Sequence, residues 1–168
     1  ASEASGGYGQ GWTAAYPLLR GLGYWQVPLP LAETLVAAQL ASAAGFDIPD
    51  GPLTLIEQGQ GNQFTVAAGD GLATLTGTAH AVPWARHATA ALVSLADGRV
   101  GLLDLQGAPG VQVQPHSNHA GLPSDTLLLQ QARLRAVAAN PLALDRPVWT
   151  LGALARSVEA HLRVLADL

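Results

Sequence analysis

The chain has no cysteine and no methionine, and none of its eight cationic residues is a lysine. Without cysteine, disulfides, thiolate metal centres and thiol nucleophiles are excluded from its chemistry. Methionine is missing even from position 1, as in a processed or trimmed segment, or in a sequence stripped of modified methionines. Charge is sparse, at 12% of residues with a formal net of −4. The cations are all arginines, scattered from Arg20 to Arg163, whereas a nucleic-acid binder gathers such charge on one face. Nucleic acid is therefore not an expected partner. No apolar run is long enough to cross a bilayer, and 1–11 is rich in glycine and serine rather than signal-like. The expectation is a soluble, cytoplasmic protein with no membrane partner.

What is present is apolar material: 49% of 168 residues, enough for one well-filled core and too much for a disordered chain. Residues 11–45 read as helical. Trp12, Tyr16, Leu19 and Leu22 recur at helical spacing, with Gly21 and Gly23 as an end signal. Pro28-Leu29-Pro30 then breaks the chain before a second helix over 31–44. In it Leu31 with Leu35 and Val36 with Leu40 are i,i+4 pairs, Glu33 sits in the first turn, and Gly45 suits the position after the cap.

From Pro52 the period shortens to that of strands, predicted at 53–57, 63–68, 72–78, 89–96, 99–105, 111–114 and 125–131. Ala96-Asp97-Gly98-Arg99 reads as a hairpin turn, because Asp-Gly can supply the positive φ angles of a type I′ turn. Gly69-Asp70-Gly71 is a second hairpin candidate. After Pro147 a helical stripe returns through Leu151, Leu154, Ala155, Val158, Leu162 and Leu165, and it requires a packing partner. The fold class expected is α+β: an antiparallel β-sandwich or barrel flanked by α-helices. It divides into the end of a helical domain (1–51), a β-domain (52–142) and the start of a second helical domain (143–168).

Several phrases in this order resemble the acyl-CoA dehydrogenase family, from about Tyr16 onward. Leu29-Pro30-Leu31-Ala32-Glu33-Thr34-Leu35 resembles the start of a late helix in that family's N-terminal domain. Thr54-Leu55-Ile56-Glu57 stands where the family has Leu-Thr-Glu at the end of a strand. Leu75-Thr76-Gly77 and then 88–95 resemble its next strands; Gly110-Val111-Gln112-Val113 and 125–129 resemble its closing ones, and 149–168 the first helix of its C-terminal bundle.

The resemblance implies FAD as cofactor and an acyl-CoA thioester as substrate, in a homo- or hetero-oligomer. A carboxylate removes the α-proton while the β-hydrogen leaves as hydride to the flavin. It also implies that Leu55, Ile56 and Glu57, with Ala81, Val82, Pro83 and Trp84, contact the cofactor. Ile56 and Pro83 replace the family's two threonines, Ala79 its lysine and Ala81 its aromatic, so cofactor contacts fall to the main chain at Leu55–Glu57, while Pro83 removes one backbone donor. No catalytic base is identified: Leu151-Gly152-Ala153 carries no acid, and Glu159 lies about two turns beyond. A non-catalytic subunit that keeps the fold, and a small β-domain binding module, are the alternatives.

Other constellations carry less. His116 and His119, three apart, could chelate a metal only with further ligands such as His80 or Asp125, and otherwise belong to a polar loop, so no metal is expected. Gly59-Gln60-Gly61-Asn62 is glycine-rich but opens no helix and reads as a connection between strands. His80, Trp84, Arg86 and His87 form either a ligand-facing rim, with Trp84 stacking and Arg86 on a phosphate, or a strand end packed on the sheet.

Overall fold

The computed structural model describes residues 3, 7–25, 27–57, 61–68 and 72–139. Two helices come first, α1 (Trp12–Tyr24) and α2 (Leu31–Ala43). Gly45 ends α2 as expected. At φ +74° it takes the left-handed conformation, and the amides of Gly45 and Phe46 turn back to the carbonyls of Ser42 (3.0 Å) and Ala41 (2.9 Å). These two bonds satisfy carbonyls that the helix end would otherwise leave open.

Seven strands follow: β1 (Leu53–Ile56), β2 (Gln63–Ala68), β3 (Ala73–Pro83), β4 (Ala90–Ser94), β5 (Arg99–Asp104), β6 (Val111–Gln114) and β7 (Ser124–Ala139). They form a single curled sheet in the order β1-β4-β5-β7-β3-β2, with β6 also on β7. All pairs are antiparallel except β1 with β4, which runs parallel. The chain leaves β1, makes the β2–β3 hairpin at the far end of the sheet, and returns beside β1 in the same direction. The architecture is α+β, a half-barrel with helices.

The curl has a covalent origin in β7. Its 16 residues reach about 50 Å at 3.3 Å each, too far for a flat strand in so small a domain. Two register shifts bend it. Between Leu75 and Gly77 of β3 the opposing β7 residues run from Ala132 to Leu129, and Gln131 takes φ +52°. Between Leu102 and Leu103 of β5 they run from Ala136 to Leu134. Each places one extra residue in β7, and such bulges bend the strand and increase its twist. The same strand therefore carries β6 and then β5 along one edge while β3 follows the other.

Alternation divides the apolar residues between two cores. Ile56, Ala91, Val93, Leu103, Leu127 and Leu134 point into the curl. Leu53, Leu55, Ala90, Leu92 and Leu102 face outward onto Val36, Ala37, Leu40 and Ala41 of α2. Strands covered on both faces read as unbroken apolar runs, which is why β4 and β5 show no polar alternation. The turn between them is not type I′. Only Gly98 has a positive φ (+80°), its amide bonds the Leu95 carbonyl at 3.0 Å, and Leu95 N–H closes on Arg99 at 2.9 Å. This is the three-residue loop with a glycine bulge. The turn at 69–71 and the helical stripe at 151–165 lie outside the described residues.

Candidate functional site

Curling brings together two strands that are not neighbours in the sheet. The Thr54 hydroxyl, fully buried in β1, donates to the Pro83 carbonyl at the end of β3. Asn62 makes a second tie: its side-chain amide donates to the Glu57 carbonyl (2.7 Å), and its carbonyl accepts from the His80 amide (2.6 Å). Between these ties lies a cleft of about 150 Å³, walled by Leu55, Ile56 and Glu57 on one side and Ala81, Val82 and Pro83 on the other, with Asn62 and His80 at its rim. Six of the seven residues expected to meet a cofactor thus share one cleft. The seventh, Trp84, is only 6% exposed and lines a neighbouring cavity of about 120 Å³.

Backbone parity supplies donors that the side chains lack. Leu53 directs its amide and carbonyl away from β4, to the Thr34 hydroxyl at 3.1 and 3.2 Å. Glu57 turns its carbonyl the same way, to Asn62. Groups two residues apart on a strand share a side, so the Leu55 N–H and C=O also point to the unpaired edge of β1, where the cleft is. The opposite wall is a bulge. Ala79 and Val82 of β3 face Leu127 and Asp125 of β7, one residue more on β3 than on β7, and Ala81 stands at φ +52°. Trp84 also has a positive φ, +56°, and its amide donates to the Pro123 carbonyl at 3.1 Å. Two non-glycine residues in this conformation are held there by the surrounding hydrogen bonds.

Arg86 serves the fold rather than a phosphate. Its guanidinium pairs with Asp125, Nε at 2.9 Å and the terminal nitrogen at 2.7 Å, and reaches the His116 carbonyl. Asp125 is fully buried and also accepts the amides of Arg86 (2.8 Å) and His116 (3.0 Å). Burial by itself pushes the Asp125 carboxyl up. The Arg86 side chain, the two backbone donors and the arginine charge outweigh it and hold the carboxyl below its usual range. This clamp fixes the loop that carries His116 and His119, both exposed. Asp125 faces arginine and not a metal, and among the described residues no three metal-ligating side chains converge. Trp84 packs on the sheet with the His87 ring 6.1 Å away. Glu159 lies outside the described residues.

Sequence reasoning missed Thr54, Asn62 and the buried placement of Glu33. A lone threonine or asparagine gives no periodic signal, and its role here depends on a closure 18 to 29 residues away in the chain.

No protein-family model matches the sequence, and neither does any curated protein. Solved structures do. A variant of the Tcur3481–Tcur3483 steroid ACAD matches with TM-score 0.75 and 27% identity, over 94% of this chain and 48% of that one. The ChsE4–ChsE5 complex from Mycobacterium tuberculosis matches with TM-score 0.75 and 27% identity, over 95% and 48%. XiaF from Streptomyces sp., solved with FADH2 and glycerol, shares the fold at 16% identity and TM-score 0.69, over 95% and 48%. The chain spans about half the length of these solved chains.

Proposed function

From a chain that matches acyl-CoA dehydrogenase family structures over 94–95% of its length, we propose a flavin-binding part of an acyl-CoA dehydrogenase-like oxidoreductase, with FAD as cofactor and an acyl-CoA thioester as substrate. The observation that carries this reading is the convergence of the β1 and β3 ends on one cleft. The residues there fit the cofactor. The side chains of Leu55, Ile56 and Val82 are buried in the two cores, so the cleft presents Ala81 and Pro83 as its accessible apolar surface, and the outward Leu55 main chain offers a donor and an acceptor. FAD, when bound, supplies the hydride acceptor. The chain's own work is to bind and orient it: Thr54 and Asn62 set the width of the cleft, and the β1 and β3 main chains line it.

Acyl-CoA oxidation also needs a carboxylate base at the α-carbon. Ile56 and Pro83 bring no side-chain donor, which favours a second reading, a non-catalytic subunit that shares a flavin with another chain. The ChsE4–ChsE5 match is itself a two-protein complex. Titrating the full chain with FAD up to millimolar concentration, followed by flavin fluorescence, tests the binding claim, and protein that takes up no flavin sinks both readings in favour of a plain binding module. Adding acyl-CoA without oxygen then separates the two. Bleached flavin supports the oxidoreductase, whereas bound but unbleached flavin supports the subunit.

A further inference from the structure

The two bulges of β7 present their surplus residues to one groove. Gln130 and Gln131 stand opposite Thr76 alone, and Arg135 is the extra residue between Leu134 and Ala136. Bulges re-aim side chains that a regular strand would hold in its pleat. With Arg133 between them, these residues form one side of an open groove of about 570 Å³. Residues 106–110, connecting β5 to β6, form the other side. This connection is pressed onto the strand: the Gln130 amide donates to the Gly110 carbonyl at 2.8 Å, and a Cβ at Gly110 would overlap the Gln130 carbonyl. The groove shares no residue with the cleft between β1 and β3.

Its charge is unbalanced. Arg86, Arg99 and Arg135 each pair with an aspartate, and the partner of Arg135, Asp104, lines the same groove. Arg133 has no hydrogen bond or ion pair among the described residues. It lies two residues from Arg135, about 7 Å along the strand, so two guanidinium groups share a groove that holds a single carboxylate. The rest of the lining is uncharged and rich in donors. It includes the carboxamides of Gln106, Gln130 and Gln131, and the amides of Gly107 and Gly110, which bond no carbonyl among the described residues. A surplus positive charge amid neutral donors, in a chain of net charge −4, suits an anion.

We propose that this groove is a second ligand site, which holds the phosphate group of a small organic phosphate on Arg133. A guanidinium presents a planar fork of donors to phosphate oxygens. A tetrahedral phosphate then has oxygens left for the carboxamides and the loop amides, whereas a carboxylate is satisfied by the fork alone. The groove falls within the range of about 300–1,000 Å³ typical of small-molecule sites, so an organic part fits beside the phosphate. The proposal is independent of the flavin reading.

The test titrates the full chain with glycerol phosphate, inorganic phosphate and glycerol at constant ionic strength, followed by calorimetry. Glycerol phosphate is expected to bind saturably, and glycerol not at all. Loss of a charge-assisted contact lowers the affinity of Arg133→Gln by about 10- to 100-fold. Arg133→Lys keeps the charge without the fork and falls between. Arg99→Gln removes the same charge elsewhere and binds as wild type does. Arg133 is exposed, so both of its variants melt within a few degrees of wild type without ligand. Inorganic phosphate bound as tightly as glycerol phosphate keeps the phosphate site and overturns its organic occupant. No saturable binding of either, or equal losses in Arg133→Gln and Arg99→Gln, overturns the proposal.

Discussion

Replacing Asp125 with asparagine removes the charge from the centre of the Arg86 clamp while keeping its shape. The carboxylate accepts two backbone amides and two guanidinium contacts, all between 2.7 and 3.0 Å. Asparagine keeps one acceptor oxygen and turns an NH₂ toward groups that are themselves donors. Breaking a buried pair costs about 3–5 kcal/mol when the partner is stranded. Arg86 retains 29% side-chain exposure and can recover some hydration, so the lower end, about 3 kcal/mol, is expected. At about 2–4 °C per kcal/mol for a chain of this size, the melting temperature falls by about 6–12 °C at pH 7. The pH arm follows from the direction of the Asp125 shift. Its carboxyl is held below the usual range in the folded state, so its stabilisation is complete above the unfolded value of about 3.9 and is lost as pH falls through the folded one. The gap between wild type and Asp125→Asn therefore narrows below about pH 4. Urea unfolding and thermal melts at pH 7 and pH 3 measure both effects. A loss under about 1 kcal/mol at pH 7, or a gap of equal size at both pH values, would refute the clamp.

Gly110 has φ +78°, and a Cβ there would lie 2.2 Å from the Gln130 carbonyl oxygen. Gly110→Ala should therefore cost about 3 kcal/mol through strain and overlap, seen as a lower urea midpoint. Thr54→Val deletes the donor to Pro83 inside the core and should cost about 1–3 kcal/mol, with weaker FAD binding because the cleft walls lose a tie. Asn62→Ala cuts the second tie at a half-exposed position. It should leave stability within about 1 kcal/mol while FAD affinity drops, and unchanged affinity would mean that Asn62 does not shape the cleft.

Periodicity made most of the architecture legible in advance. α2 begins at Leu31 as read and ends one residue early, at Ala43, and β2 and β6 match their predicted limits. The long strands were undercut. β3 continues to Pro83 and β7 to Ala139, because β3 follows β7 beyond the end of β2, β7 crosses from β6 to β5, and the alternation of both is broken at the bulges. The residues 134–139 face β5 rather than β6, and a change of partner leaves no mark on local composition. The parallel pairing of β1 with β4 was hidden for the same reason, since direction depends on the path of the intervening hairpin. The two segments that share the cleft were singled out through a resemblance spread over several phrases. The ties that position them, Thr54 to Pro83 and Asn62 to both walls, come from single polar residues, whose partners only closure of the curl defines.

The size of the cleft bears on how the site works. A ligand site ordinarily encloses about 300–1,000 Å³ and covers most of its ligand. The cleft between β1 and β3 measures about 150 Å³ and the neighbouring cavity about 120 Å³, so on the proposed flavin reading the described residues supply one wall of the site. The solved chains that this one matches are about twice its length, leaving ample polypeptide in those proteins for an opposite wall. A single wall binds through one ring face, and affinity follows the area removed from water. FAD should therefore bind the isolated chain with a dissociation constant in the micromolar range or weaker, and more tightly once another chain covers the exposed ring face. Titrating FAD into the chain alone measures the first quantity, and repeating it with a candidate partner measures the second. Nanomolar binding by the isolated chain would mean that it closes over the flavin unaided, and the one-wall reading would have to be abandoned.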